Sequence, residues 1–268
     1  MRWHNLSPAI LTLLIFLLAQ GLGTVLLVAT GLLNLSDFSI SFDSPLFPII
    51  QMAVNVFAIL ACHFLLHNIR LVTAEDLSAI KWRPGLLGIA GGLVGATSIS
   101  VLTDDMELPD TLMQFSLAMS HSIWGLLALV IVGPVTEELL FREALEGEML
   151  RRGTTPWPAI LVSAVAFGVI HLNLAQALYA LPLGIIFGII YYKTGSIILT
   201  SLLHILNNGI VVAQLRILGE DMADSSCAEW LGSTAWVYAF MILSGILCLL
   251  LMKKFWDYCP PPQRKYKT

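Results

Sequence analysis

The chain has 268 residues, 57% of them hydrophobic and only 12% charged, with a formal net charge of −4. Water-soluble domains carry about 25% charged residues, so half that share excludes an ordinary soluble globule and puts the chain in a lipid bilayer. The net charge itself says little; where the charges fall says more.

A membrane-crossing helix needs about 20 mostly apolar residues. Taken in order, the expected spans are about 8–33, 46–69, 85–102, 122–150, 157–173, 175–192, 195–215 and 234–252. The fold expected is therefore all-α, a polytopic membrane protein of about eight transmembrane helices forming a single domain over 1–268. The first apolar stretch is too long for a signal-peptide core and shows no small-x-small cleavage site, so it reads as a retained span. Residues 111–121 are expected as an interfacial helix leading into the fourth span, which Gly133-Pro134 should kink because proline removes a helical hydrogen bond. Residues 171–176 carry no charge, so spans five and six are expected as a tight hairpin that need not cross fully. Gly88-x-x-x-Gly92, Gly91-x-x-x-Gly95 and Gly184-x-x-x-Gly188 offer small faces for close helix contact. The tail from Lys253 to Thr268, basic and aromatic with three consecutive prolines, should end the last helix and anchor it to anionic headgroups.

Basic residues orient the chain. With the N-terminus inside, the cytoplasmic segments hold Arg2; Arg70, Lys81 and Arg83; Arg151 and Arg152; Lys193; and Lys253, Lys254, Arg264, Lys265 and Lys267. The outer loops hold Asp37, Asp43, Asp104, Asp105, Glu107, Asp110, Glu220, Asp221, Asp224 and Glu229. Of 14 Lys and Arg, Arg216 alone lies clearly outside and Arg142 lies within a span. The expected arrangement is N-in and C-in. Short loops and no retention signal point to a bacterial inner membrane.

Three runs put polar groups where lipid should forbid them: Glu137-Glu138-Leu-Leu-Phe-Arg142, Phe167-Gly-Val-Ile-His171 and His204-Ile-Leu-Asn207-Asn208. A charge at the bilayer centre costs at least a few kcal/mol. At 1.5 Å per residue, Glu137 lies roughly 21 Å from Arg151, His171 roughly 21 Å from Trp157 and His204 roughly 17 Å from Lys193. Three segments thus deliver polar groups to one layer. Glu138 and Arg142 share a helix face and can pair; Glu137, rotated by about 100°, is left free of that arginine and suits a general base. His204 and Asn208 share a face and can donate to a developing oxyanion. Phe167 shares a face with His171 and shapes an apolar wall, while Asn207 should point elsewhere. The inventory fits water-mediated acyl hydrolysis and lacks an obvious nucleophilic serine or cysteine.

The ordered trio resembles the CAAX-protease and bacteriocin-processing membrane peptidases, the CPBP or Abi proteins, whose pattern is Glu-Glu-x-x-x-Arg, then Phe-x-x-x-His, then His-x-x-x-Asn. The resemblance covers about residues 120–215. It implies an intramembrane endopeptidase in which Glu137 activates water with help from His171, His204 and Asn208 stabilise the oxyanion, and Glu138 with Arg142 holds the glutamate helix. The cavity is expected to open to the cytoplasmic side. Partners implied are the bilayer and a peptide or protein substrate, membrane-anchored or free, with no nucleic acid. Glu137, His171 and His204 could hold one zinc ion with an open water position, or polarise water without it. The family is commonly labelled metallopeptidase, although no His-Glu-x-x-His helix is present. The alternatives are a transporter or proton relay and a catalytically silent immunity protein.

Other polar residues have plainer expectations. His63 and His67 should snorkel near Arg70. Glu143, Glu146 and Glu148 should form a solvated face. Cys62, Cys227, Cys248 and Cys259 are scattered without metal-ligand spacing, and Cys259 should be an idle thiol.

Overall fold

The computed structural model describes residues 3–37, 39–42, 44–70, 72–78, 80–106, 113–218 and 227–260. Arg2, Asp43, Glu107, Asp110, Glu220, Asp221, Asp224 and the tail beyond Pro260 lie outside the described residues.

Apolar length makes the long helices. The first, α1 (Trp3–Ala29), packs antiparallel on α2 (Leu46–Leu66) across a two-stranded hairpin of β1 (Leu33–Asn34) and β2 (Ser39–Ile40). The short α3 (Ala74–Ser78) leads to α4 (Trp82–Asp105). The interfacial helix appears as α5 (Met113–Ser120), followed by α6 (Ile123–Arg151). Then come α7 (Pro156–Val169), α8 (Leu174–Thr194), α9 (Ile197–Leu218), the short α10 (Cys227–Leu231) and α11 (Thr234–Tyr258). Among the described residues, seven helices are long and apolar enough to cross a membrane. The fifth expected span, 157–173, is α7, which has 14 residues, about 21 Å of helix, and falls short of a bilayer core. It forms the anticipated hairpin with α8, turning at His171-Leu172-Asn173. Leu172 adopts a left-handed φ of 51° and the Asn173 side chain caps α8 by accepting from the Gln176 N–H.

At Gly133-Pro134 the helix α6 widens. Leu127–Val132 is π-helical and the Gly133 N–H reaches back five residues to the Ala128 carbonyl. A wide turn accommodates a proline that has no N–H to give. A second π-helical stretch, Leu139–Gly147, follows the paired glutamates.

Phe141, Phe187, Ile190, Leu199, Leu203 and Phe255 are fully enclosed and form the centre of the bundle. Leu18 and Leu249, by contrast, are 73% and 71% exposed, as lipid-facing side chains must be. The glycine faces serve packing: Gly88 meets Phe255 and Ile190, and Gly92 meets Leu203. A Cβ at Gly184 would sit 3.1 Å from Ala164 Cα on α7. Gly184→Leu should therefore overpack the α7–α8 contact and cost about 1–3 kcal/mol, read as a lower midpoint in detergent unfolding; an unchanged midpoint would show that the contact yields freely.

The basic ends gather on one side. Arg151 Nη2 donates to the Asn68 carbonyl at 2.8 Å, the Cys259 thiol reaches the Lys193 carbonyl at 3.5 Å, and Lys193 Nζ lies 4.1 Å from the Trp256 ring centre. Trp157 stacks on the same Trp256 ring. His63 is half-buried, and its Nδ1–H donates to the Ile69 carbonyl at 2.8 Å.

Candidate active site

The Glu138–Arg142 pair expected from helix phase is present and fully enclosed. Arg142 Nε donates to Glu138 Oε2 at 3.2 Å, and both side chains are 0% exposed. Arg142 Nη1 also donates to Ser163 Oγ at 2.7 Å, and that hydroxyl donates to the Phe141 carbonyl at 2.8 Å. The guanidinium lies 5.3 Å from the Phe167 ring centre and 5.6 Å from that of Phe187. Arginine is thus held from α6, α7 and α8 at once, which buries its charge only because a carboxylate, a hydroxyl and two ring faces meet it.

Glu138 is not confined to that pair. Its other oxygen, Oε1, accepts from His204 Nδ1 at 3.1 Å. The second histidine nitrogen, Nε2, is left facing Glu137 Oε2 at 3.7 Å. His204 on α9 therefore bridges the two adjacent carboxylates of α6. Glu137 is 26% exposed at its side chain, and among the described residues no arginine or lysine pairs with it, in keeping with the helical-phase argument.

Phe167 connects the two histidines. Its ring lies 5.2 Å from that of His171 and 5.7 Å from that of His204, edge-on in both cases. His171 donates Nδ1–H to the Phe167 carbonyl at 2.8 Å, so Nε2 is the nitrogen available to the cavity.

Asn207 overturns an expectation. Asn208 donates from Nδ2 to the Leu129 carbonyl at 3.0 Å, and its Oδ1 accepts from Asn207 Nδ2 at 3.2 Å. Asn207 Oδ1 in turn accepts from the Tyr179 hydroxyl at 2.7 Å. Far from pointing elsewhere, Asn207 lines the same cavity as Asn208. Positions three and four residues after His204 flank it by about 60° and 40°, so both reach one side. Tyr179 carried no sequence signal; its distance from the motifs along the chain hid it.

These groups form the floor and wall of a cavity of about 520 Å3, lined among others by Glu137, Phe167, His171, Tyr179, His204, Asn207 and Asn208. Away from these groups the cavity is bordered by Gln51 near the start of α2, Ser100 and Thr103 near the end of α4, Phe115 and Ser116 on α5, Ala175 and Gln176 in the first turn of α8, and Leu215 in the last turn of α9. All of these lie at the helix ends remote from Arg151, Lys193 and Lys253. On the basic side the bundle is closed by Arg142, Glu143, Glu146 and Tyr191, each buried. Glu143 accepts from the Tyr191 hydroxyl and pairs with Arg151 at 2.8 Å. Glu143 and Glu146 are thus interior groups rather than a solvated face, and a cavity expected to open toward the basic ends is lined at the opposite ones. Toward α1 and α2, Glu137 also borders a cavity of about 20 Å3 with Asn55 and Thr136, room for about one water.

The zinc option fares less well. Among the described residues, no three His, Cys, Asp or Glu side chains come together in a way that could hold a metal ion. Glu137, His171 and His204 are not drawn together as a ligand set in this arrangement.

Comparison with known proteins agrees with the motif order. Residues 119–210 match the family described as Type II CAAX prenyl endopeptidase Rce1-like. The chain is 34% identical over 82 residues to the Bacillus subtilis (strain 168) protein named "Putative membrane peptidase YdiL", a stretch covering 31% of this chain and 33% of that protein. The match therefore spans about a third of the relative's length. No solved structure matches the chain. With the three motifs brought together inside a helical membrane bundle, residues 119–210 are similar to the Type II CAAX prenyl endopeptidase Rce1-like family, the resemblance that the motifs carry.

Proposed function

We propose that the protein is an intramembrane endopeptidase that uses a glutamate-activated water and no protein nucleophile. A water held at Glu137 within reach of His171 attacks the scissile carbonyl. As the C–O bond forms, Glu137 takes the water proton, and it passes a proton to the leaving amine when the C–N bond breaks. The oxyanion is met by His204 Nε2–H and by the amide of Asn208, with Asn207 beside it. Donation from Nε2 while Nδ1–H is held by Glu138 requires the imidazolium, whose charge Glu138 would balance. Arg142 positions Glu138 and does not touch substrate.

The observation that carries this reading is the adjacency of an arginine-free glutamate and a carboxylate-anchored histidine at the floor of a cavity inside the membrane bundle. Beyond the cavity the bundle is filled by the buried Arg142, Glu143, Glu146 and Tyr191, which favours a one-sided chamber over a continuous channel. The one-sided distribution of lysine and arginine supports N-in and C-in insertion, and the short loops suit a bacterial cell membrane.

The test is cleavage of a peptide library by the purified protein in detergent, before and after exhaustive chelation. Chelated protein should cut the same bonds at an unchanged rate. Loss of cleavage on chelation, restored by zinc, would overturn the metal-free version; no Glu137-dependent cleavage under any condition would overturn the peptidase reading.

A further inference from the structure

We propose that the catalytic chamber opens on the extracytoplasmic face of the membrane and takes an apolar peptide segment presented from that side. The inference rests on the peptidase reading for its substrate but on geometry and charge for its side.

Two independent observations meet. The first is the cavity itself. From Glu137 and His204 its lining runs only toward the ends marked by Ser100, Thr103, Ser116, Gln176 and Leu215. Ser100 is exposed and Thr103, Ser116 and Gln176 are half-buried, so the walls reach the surface of the bundle at that end. The opposite direction is shut: Arg142 is held by Glu138 and Ser163, while Arg151 ties Glu143 to the Asn68 carbonyl, and Tyr191 bonds Glu143.

The second is the charge of the two ends. The closed end carries Arg70, Lys81, Arg83, Arg151, Arg152, Lys193, Lys253 and Lys254. The open end carries Asp37, Asp104, Asp105 and Glu229, with Arg216 the exception among the described residues. Lysine and arginine flanking short loops are retained on the cytoplasmic side. A chamber that is open away from them is open away from the cytoplasm.

The lining chemistry states the occupant. Phe115, Leu129, Leu183, Val211 and Val212 form apolar walls, no lysine or arginine is among the described lining residues, and Gln51, Gln176 and Tyr179 supply isolated hydrogen-bonding groups. Such a surface suits an extended apolar stretch of polypeptide whose few exposed amides need partners. A carboxylate-rich or phosphorylated ligand would find no counter-charge on these walls.

The experiment reads access independently of catalysis. In a background with Cys62, Cys227, Cys248 and Cys259 replaced by Ala, single Ser100→Cys, Ser116→Cys and Lys253→Cys variants are treated in intact cells with a membrane-impermeant maleimide, then again after permeabilisation. The proposal expects Ser100→Cys and Ser116→Cys to label in intact cells and Lys253→Cys to label only after permeabilisation. The reverse pattern, or cavity thiols that stay unlabelled in intact cells, would overturn it. Lys253→Cys checks that each preparation was sealed and that the chain inserted. The same labelling in a Glu137→Gln background must give the same pattern, so a protein that proves not to be a peptidase would still report which way its chamber faces.

Discussion

Glu137→Gln should remove nearly all turnover and leave the protein folded. The substitution keeps the shape of the side chain and deletes its capacity to accept a proton. General-base catalysis contributes about 10²–10⁴-fold, so cleavage of a defined peptide should fall by at least that range. Stability should hardly move, because Glu137 faces the cavity and no arginine depends on it; His204 Nε2 lies 3.7 Å from its Oε2. Single-turnover cleavage and thermal unfolding of the same detergent-solubilised sample check both halves. A Gln variant that still cleaves at the parent rate would remove Glu137 from the chemistry.

Arg142→Met should do the opposite and strike folding first. The guanidinium neutralises a layer that contains Glu138 at 3.2 Å and Glu146 at 3.8 Å, all three side chains being 0% exposed. Deleting it takes the guanidinium partner from the buried Glu138 carboxylate, and breaking a buried pair from one side costs about 3–5 kcal/mol. Yield and unfolding midpoint should drop sharply. Glu138→Gln should also destabilise, since it leaves Arg142 with Ser163 and, as a carboxylate, the more distant Glu146. It should lower cleavage per folded molecule as well, because Oε1 orients His204 through the 3.1 Å bond to Nδ1. Combining Glu138→Gln with Arg142→Met removes both charges together and should recover part of the stability lost in Arg142→Met alone. If Glu138→Gln proves well folded and inactive while Glu137→Gln still cleaves, the two carboxylates have been assigned the wrong way round.

Much of this protein is written locally. Hydropathy over windows of about 20 residues finds the long helices because a bilayer demands that length of any chain. The four-residue spacing of Glu138 and Arg142 finds their pair because a helix face is set by position alone. The same local argument isolates Glu137 from the arginine, and the basic residues mark one set of helix ends. Counting residues inward brings the three motifs to a common depth, since rise per residue varies little.

Depth, however, is one coordinate of three. Counting along a helix says nothing of which neighbours stand beside it, so Ser163 under Arg142, Tyr179 beside Asn207 and Glu138 as the anchor of His204 emerge only when α6, α7, α8 and α9 are packed. Asn207 was misjudged because helical phase was read against a single partner; in the bundle, the cavity is wide enough to take both asparagines. Glu143 and Glu146 looked like solvated groups because they approach the end of α6, yet α7 and α8 close over them, Gly188 leaving the space that Glu146 occupies. The direction in which the chamber opens is likewise a tertiary property. It depends on which ends of α4, α5, α8 and α9 stand apart and on the arginine and tyrosine layer that fills the other side, and no stretch of sequence contains that relation by itself.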